Sequence, residues 1–212
     1  DQFRGGSARV VARDGHRSLV HLMDQVSRES PTGRTPARPL PDRSVVHWVE
    51  FVEFAADERR AEALGSTLGT LGFRRAGRHR SKSVDLFRQG QINLVVNTEQ
   101  AGQARSAFLA HGTAAYAIGL QVDDARATLA RAVALGAEPF DQDPNPGDIR
   151  LPGIRGIGGS VIYFIDRSPE LVRLWEHEFV NVADGAAKVD AGLERIDHVA
   201  QTMFVDELLT SL

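Results

Sequence analysis

The chain contains no cysteine. Disulfides, zinc–thiolate centres and iron–sulfur clusters are therefore excluded at once, and the absence fits a reducing cytosol. Long apolar runs are missing too. The best candidate, "VVHWVEFVEFAA", is broken by Glu50 and Glu53 and falls well short of a membrane span. Neither sign of charge dominates: 25 Lys and Arg stand against 28 Asp and Glu, a net charge of −3. The basic residues are scattered, which leaves no electrostatic footprint for nucleic acid or for an anionic membrane. What remains is 212 residues with 42% hydrophobic and 25% charged side chains. That is the composition of a globular chain of one or two domains, long enough to bury a core.

Composition divides the chain into zones. Residues 1–28 hold a short Gly turn and then a helical pattern, with Leu19, Leu22, Met23 and Val26 at helical spacing behind Asp14 as N-cap. The first residue is Asp1 and "DQFRGG" has no lead-in of its own, so the expectation is a chain that begins inside a longer protein. Residues 29–44 carry four prolines in "ESPTGRTPARPLPDRS" and almost nothing apolar, which predicts an extended linker.

From Val45 the chain is regular and repeats itself. "VEFVEFA" reads as a strand followed by a helix in "DERRAEALGSTLGTLGF". "YAIGLQV" reads as a strand followed by a helix in "DDARATLARAVALGAEPF". Both helices open on acidic residues, which suit a helix N-terminus, and close on Leu-Gly, which suits a left-handed C-cap. Short strands come next: a hairpin around "RQGQ" in the first unit, then "DIRLPGI" and "SVIYFID" in the second. A third unit opens with "RIDHVAQTM" and "VDELLTSL" over residues 191–212. The predicted fold is α+β, made of paired βαβββ modules over 45–190. Each module forms a curved sheet with a helix on its convex side, and two modules closing on each other enclose a cavity lined by alternate strand residues.

Few residues carry chemistry on pattern alone. His198, in "IDHV", is either a half-buried strand histidine with a hydrogen-bond partner or one ligand of a metal site. A mononuclear iron site needs two imidazoles and a carboxylate. Glu53 falls near the repeat position of His198, where the second unit has Gly119 and Gln121. His16, His21, His47, His79, His111 and His177 fall in helix, linker, hairpin or loop patterns, so the first two units read as free of metal. "LPGIRGIGGSVIYFID" is no phosphate cradle, because a strand rather than a helix follows its glycines. The basic run "GRHRSK" reads as a solvated hairpin rim, Trp48, Phe51, Phe54 and Phe87 as core of the first unit, and Trp175 as a module-edge residue.

"VEFVEFA", "HRSKSVDLFRQGQINLVVN", "LPGIRGIGGSVIYFIDR" and "GLERIDHV" resemble the bacterial 4-hydroxyphenylpyruvate dioxygenases of the vicinal-oxygen-chelate superfold, from about Val45 onward. The resemblance implies a metal-free amino-terminal module pair and a later pair that binds Fe(II) through two His and one Glu. His198 matches the first of those ligands; the other two belong to segments outside these 212 residues. "DQFRGGSARVVARDGHRSLVHLMDQV" resembles the end of the sugar-phosphate-isomerase-like TIM barrel of bacterial 3-dehydroshikimate dehydratases, one type of which carries the barrel fused to a dioxygenase-like half. The activity so implied is metal-assisted loss of water from 3-dehydroshikimate to give protocatechuate, in the breakdown of quinate and shikimate. The barrel would use a divalent cation of the Mg, Mn or Co type, and its ligands lie before this tail. Arg4 would lie near the barrel mouth, as a holder of a substrate carboxylate or as a salt-bridged surface residue. The stretch itself is expected to be inert and to bind no cofactor. The partner is a small aromatic or cyclohexene carboxylic acid rather than nucleic acid or membrane, and an open sheet face leaves room for a second copy. The rival readings are an iron-dependent 4-hydroxyphenylpyruvate dioxygenase and a non-catalytic binding or assembly module.

Overall fold

The structure, a computed structural model, describes residues 40–142, 144–182 and 191–202. The barrel tail expected over 1–28, Arg4 within it, most of the linker and the helix expected after residue 202 lie outside the described residues. The chain divides into residues 1–39 and 40–212, and the described residues all belong to the second unit.

The repeat read from sequence is built as expected. Strand β1 (Val46–Ala55) leads to helix α1 (Glu58–Thr70). Asp57 caps that helix, accepting the Arg60 N–H at 2.7 Å, and Gly72 leaves it at φ 89°. Strands β2 (Arg74–His79), β3 (Val84–Gln89) and β4 (Ile92–Asn97) complete the first module. Helix α2 (Gly102–His111) connects the modules; the sequence reading had no element there. The second module follows with β5 (Ala114–Val122) and α3 (Ala125–Ala134), the latter capped by Asp124 on the Ala127 N–H at 2.8 Å. Its first returning strand shrinks to a single bridge between Pro139 and Ile154. β6 (Gly153–Arg155) and β7 (Val161–Ile165) then pair antiparallel across the Gly-rich turn. A short helix α4 (Leu174–Glu178) and β8 (Phe179–Asn181) end the regular part.

All eight strands form one open sheet in the order β6-β7-β5-β1-β4-β3-β2-β8. Within each module the first strand runs parallel to the last, β1 with β4 and β5 with β7. The modules join through one antiparallel ladder, β1 against β5, which sets Phe51 opposite Gly119 and Glu53 opposite Ala117. This is the paired βαβββ arrangement, with two modules meeting edge to edge at their first strands.

Strand alternation divides the apolar residues between two faces. On one face Leu68, Phe73, Phe87, Ile92 and Val96 close around α1. On the other, Phe51, Ala55, Leu86, Val95, Tyr116, Val161 and Tyr163 belong to the larger cluster. Two expectations fail here. Trp48 is not core: it stays 40% exposed, and its indole N–H donates to Glu50 at 2.8 Å. Residues 191–202 form no strand. The segment instead donates the Leu193 N–H to Gln89, accepts the Gln91 N–H on the Glu194 carbonyl, and lays Ile196 against the α1-side cluster. Its backbone groups have no ladder to join among the described strands, and a strand without a neighbour is not a stable element.

Candidate functional site: a cavity between the modules

The larger apolar face does not close completely. It leaves a cavity of about 330 Å³ whose walls come from both modules and from α4. Phe51 and Glu53 enter it from β1, Val95 and Asn97 from β4, Tyr116 from β5, Tyr163 from β7 and Trp175 from α4. Alternation explains the set, since residues two apart on a strand share a face. The expected cavity is therefore present.

Trp175 does not sit at a module edge. It lines the cavity, meets Phe51 edge-on at 5.8 Å, and donates its indole N–H to Glu50 at 2.8 Å. The Arg88 guanidinium lies 5.1 Å from its ring centre. Glu50 thus holds both tryptophans of the chain.

Glu53 occupies the middle of the cavity wall. The cavity reaches its side chain, which is otherwise packed among protein atoms and partly buried. Desolvation pushes its carboxyl above the ordinary glutamate range. Hydrogen bonds from Asn97 (2.9 Å) and Tyr116, with the charges of Lys82 and His79, offset only part of that rise. Tyr116 and Tyr163 are pushed up as well, first by burial and then by the nearby Glu53 carboxyl. The sign of the stability effect follows. As pH rises, the unfolded chain ionises Glu53 before the native protein does, so native stability falls between the ordinary glutamate range and the raised native value. Glu53→Gln removes that titration. Between pH 5 and pH 8 the variant should lose less urea stability than the wild type, and parallel losses in the two proteins would refute this account of Glu53.

The first two units are not bare of metal ligands, as the sequence reading expected. His79 at the end of β2, Asp148 in the loop before β6 and Glu178 at the end of α4 place one donor atom each within 4.8 Å of one another. The expectation of no cofactor on this stretch is overturned by that triad. An imidazole with two carboxylates is a donor set that suits a divalent cation. In the structure the three are held by other contacts. His79 Nε2 stands 2.9 Å from Glu178 Oε2, with both side chains under 10% exposed. Asp148 takes the Lys82 ammonium at 2.9 Å and the Ser81 hydroxyl at 2.6 Å. Burial alone would push the Asp148 carboxyl up, but those hydrogen bonds and charges outweigh it and hold it below the usual aspartate range. A cation entering here therefore displaces the Lys82 ammonium from Asp148. "GRHRSK" is a solvated rim only in part: Arg78 and Arg80 are exposed, Arg80 donating to the His177 carbonyl at 2.7 Å, whereas His79 and Lys82 line the cavity. Sequence reasoning missed the triad because Asp148, read as the start of a strand in "DIRLPGI", lies in a loop, and Glu178 lies in a five-residue helix outside the repeat.

His198 lies outside the cavity. Its side chain is 80% exposed, and its nearest polar partner is Asp197, 2.9 Å from Nδ1. That hydrogen bond, with the imidazole charge behind it, lowers the Asp197 carboxyl. No second imidazole stands with His198 among the described residues, so they hold no iron site of the two-His, one-carboxylate kind. The Gly-rich turn is as expected: Gly158 and Gly159 take φ 66° and 75°, and β7 follows directly.

Comparison with known proteins places this geometry. The family model described as "Hydroxyphenylpyruvate dioxygenase, HPPD, N-terminal" matches residues 44–180. The 3-dehydroshikimate dehydratase of Pseudomonas aeruginosa is 41% identical over 207 residues, 94% of this chain and 32% of its own length. The 4-hydroxyphenylpyruvate dioxygenase of Pseudomonas sp. is 35% identical over 157 residues, 73% of this chain and 43% of its own. Among solved structures, a xylose isomerase-like TIM barrel/4-hydroxyphenylpyruvate dioxygenase fusion protein superimposes with a TM-score of 0.72 at 36% identity, covering 99% of this chain and 34% of that one. The chain thus spans about a third of the length of the dehydratases it matches. Together with the paired modules and the cavity between them, the match shows that the chain belongs to the hydroxyphenylpyruvate dioxygenase amino-terminal family, within the vicinal-oxygen-chelate superfold.

Proposed function

We propose that this chain is the junction and first dioxygenase-like module pair of a longer 3-dehydroshikimate dehydratase, in which water is lost from 3-dehydroshikimate outside these 212 residues. One observation carries the reading. The dehydratases align over 94–98% of the chain, whereas the 4-hydroxyphenylpyruvate dioxygenases align over 73%. The module pair alone accounts for the second figure. The first requires likeness in the residues before it, where the sequence resembles the end of a barrel.

In this reading the substrate of the whole protein is a small cyclohexene carboxylic acid, and the module pair supplies walls and a cavity rather than the dehydration chemistry. A divalent cation held by His79, Asp148 and Glu178 would supply a Lewis acid on the cavity wall. His198, with Nδ1 hydrogen-bonded to Asp197, keeps Nε2 available as a ligand for a site completed elsewhere in the longer protein.

The test is to give the purified full-length protein 3-dehydroshikimate and follow protocatechuate formation. Turnover should appear, vanish on chelation and return with Mg, Mn or Co. If there is no protocatechuate, and oxygen is consumed with Fe(II) and 4-hydroxyphenylpyruvate, the dioxygenase reading replaces this one.

A further inference from the structure

The cavity has a polar pole and apolar walls, and neither the family match nor the proposed dehydratase assigns it a ligand. We propose that it binds a small uncharged hydroxylated ring of the phenol class, with the hydroxyl lodged at Glu53, Asn97 and Tyr116. At about 330 Å³ the space lies at the lower end of ligand pockets and suits a single substituted six-membered ring.

The walls have the shape for such a ring. Phe51 lies 5.9 Å from Tyr163 and 5.8 Å from Trp175, and Phe140 stands 5.9 Å from Tyr163. These rings pack on one another and present a continuous aromatic wall to the cavity, against which a further ring can lie edge-on or offset. The pole supplies directional hydrogen bonding. Asn97 Nδ2 lies 2.9 Å from Glu53 Oε1 and 3.3 Å from the Tyr116 hydroxyl. A carboxyl and a phenol between them keep further donor and acceptor capacity for one incoming hydroxyl.

With no cation on the His79, Asp148 and Glu178 triad, charge excludes a ring carboxylate. The polar groups beside the pole already answer each other, His79 with Glu178 and Lys82 with Asp148. A ring carboxylate would meet Glu53, Glu99 and Glu178, while the Lys82 ammonium is already taken by Asp148. That carboxylate would be desolvated without a free counter-ion, which costs more than its hydrogen bonds return.

The chain itself supplies a reporter. Its two tryptophans are Trp48 and Trp175, so Trp48→Phe leaves the cavity-lining indole as the sole one. In that background 4-methylphenol should change Trp175 emission saturably. Toluene, with the same shape and no hydroxyl, should bind at least tenfold more weakly, and benzoate, in the presence of a chelator, weaker still. Tyr116→Phe and Glu53→Leu should each weaken 4-methylphenol at least fivefold and leave toluene unchanged, with circular dichroism confirming the fold. If either variant fails to fold, the comparison of 4-methylphenol with toluene in the Trp48→Phe chain decides alone. Equal binding of 4-methylphenol and toluene, tighter binding of benzoate, or no saturable response overturns the proposal. The titration needs no substrate of the longer protein, so it stands or falls apart from the dehydratase assay.

Discussion

Glu178→Ala should destabilise the module pair by about 2–4 kcal/mol, the cost of leaving two buried hydrogen-bonding groups without their partner. Two contacts are lost. Oε2 faces His79 Nε2 at 2.9 Å, and Oε1 accepts the Ile149 N–H at 2.7 Å. The glutamate therefore ties the end of β2 to the loop before β6 and to α4, three segments far apart in sequence. Its main chain adds a further tie, the Glu178 carbonyl accepting the Arg80 N–H at 2.9 Å. The variant leaves a buried imidazole with no acid and a buried N–H with no acceptor, and both omissions are expensive. His79→Leu combined with Glu178→Leu removes both polar partners together. It should cost less than the sum of its single changes in urea unfolding, with only the Ile149 N–H left to satisfy. A loss under 1 kcal/mol for Glu178→Ala would show that the pair is not buried as described.

The second large effect is steric. A Cβ on Gly119 would stand 2.5 Å from Phe51 Cδ1 and 3.0 Å from Ile165 Cδ1. Gly119 faces Phe51 across the ladder that joins the modules, so the ring uses the space that the missing side chain leaves. Gly119→Val should cost about 3 kcal/mol, at the upper end for overpacked cores, read as a lower urea midpoint with an unchanged slope. Phe51 also lines the cavity and cannot stay in place. If it turns into the open space, the variant loses affinity for 4-methylphenol along with stability. The smaller Phe51→Leu added to Gly119→Val should restore part of the stability. A Gly119→Val protein as stable as the parent would refute the close approach.

The repeat was legible in the sequence because its signals are local. Asp57 and Asp124 each sit where a helix needs an acceptor, and Gly72 and Gly136 supply the positive φ that ends each helix. The β3–β4 hairpin was legible from alternation around Gly90. Helix α2 was not: its N-cap is Ala101, which offers no side-chain acceptor, so no start signal precedes it. The site was legible in part. Glu53 could be placed by its repeat position in a strand that lines the cavity. The triad could not, because Asp148 and Glu178 reach His79 through tertiary contacts that no periodicity encodes. Trp175 was misplaced for the same reason, since α4 returns to the cavity only after the second module has closed. Trp48 misled in the opposite way: a large aromatic on an apolar strand reads as core, yet it lies near the strand's open start, where Glu50 holds it at the surface.

The single ladder between β1 and β5 also bears on how the chain is made. Residues 46–55 leave the ribosome well before residues 114–122, and the wall that carries Phe51 and Val95 is complete only once β5 has arrived. Pairings of such long sequence separation form late, and until then the nascent first half shows an uncovered apolar sheet to the cell. Slowing translation between residues 98 and 114 would lengthen that exposure, so a chaperone that grips extended apolar chain should be found on the ribosome-bound half and not on the finished protein.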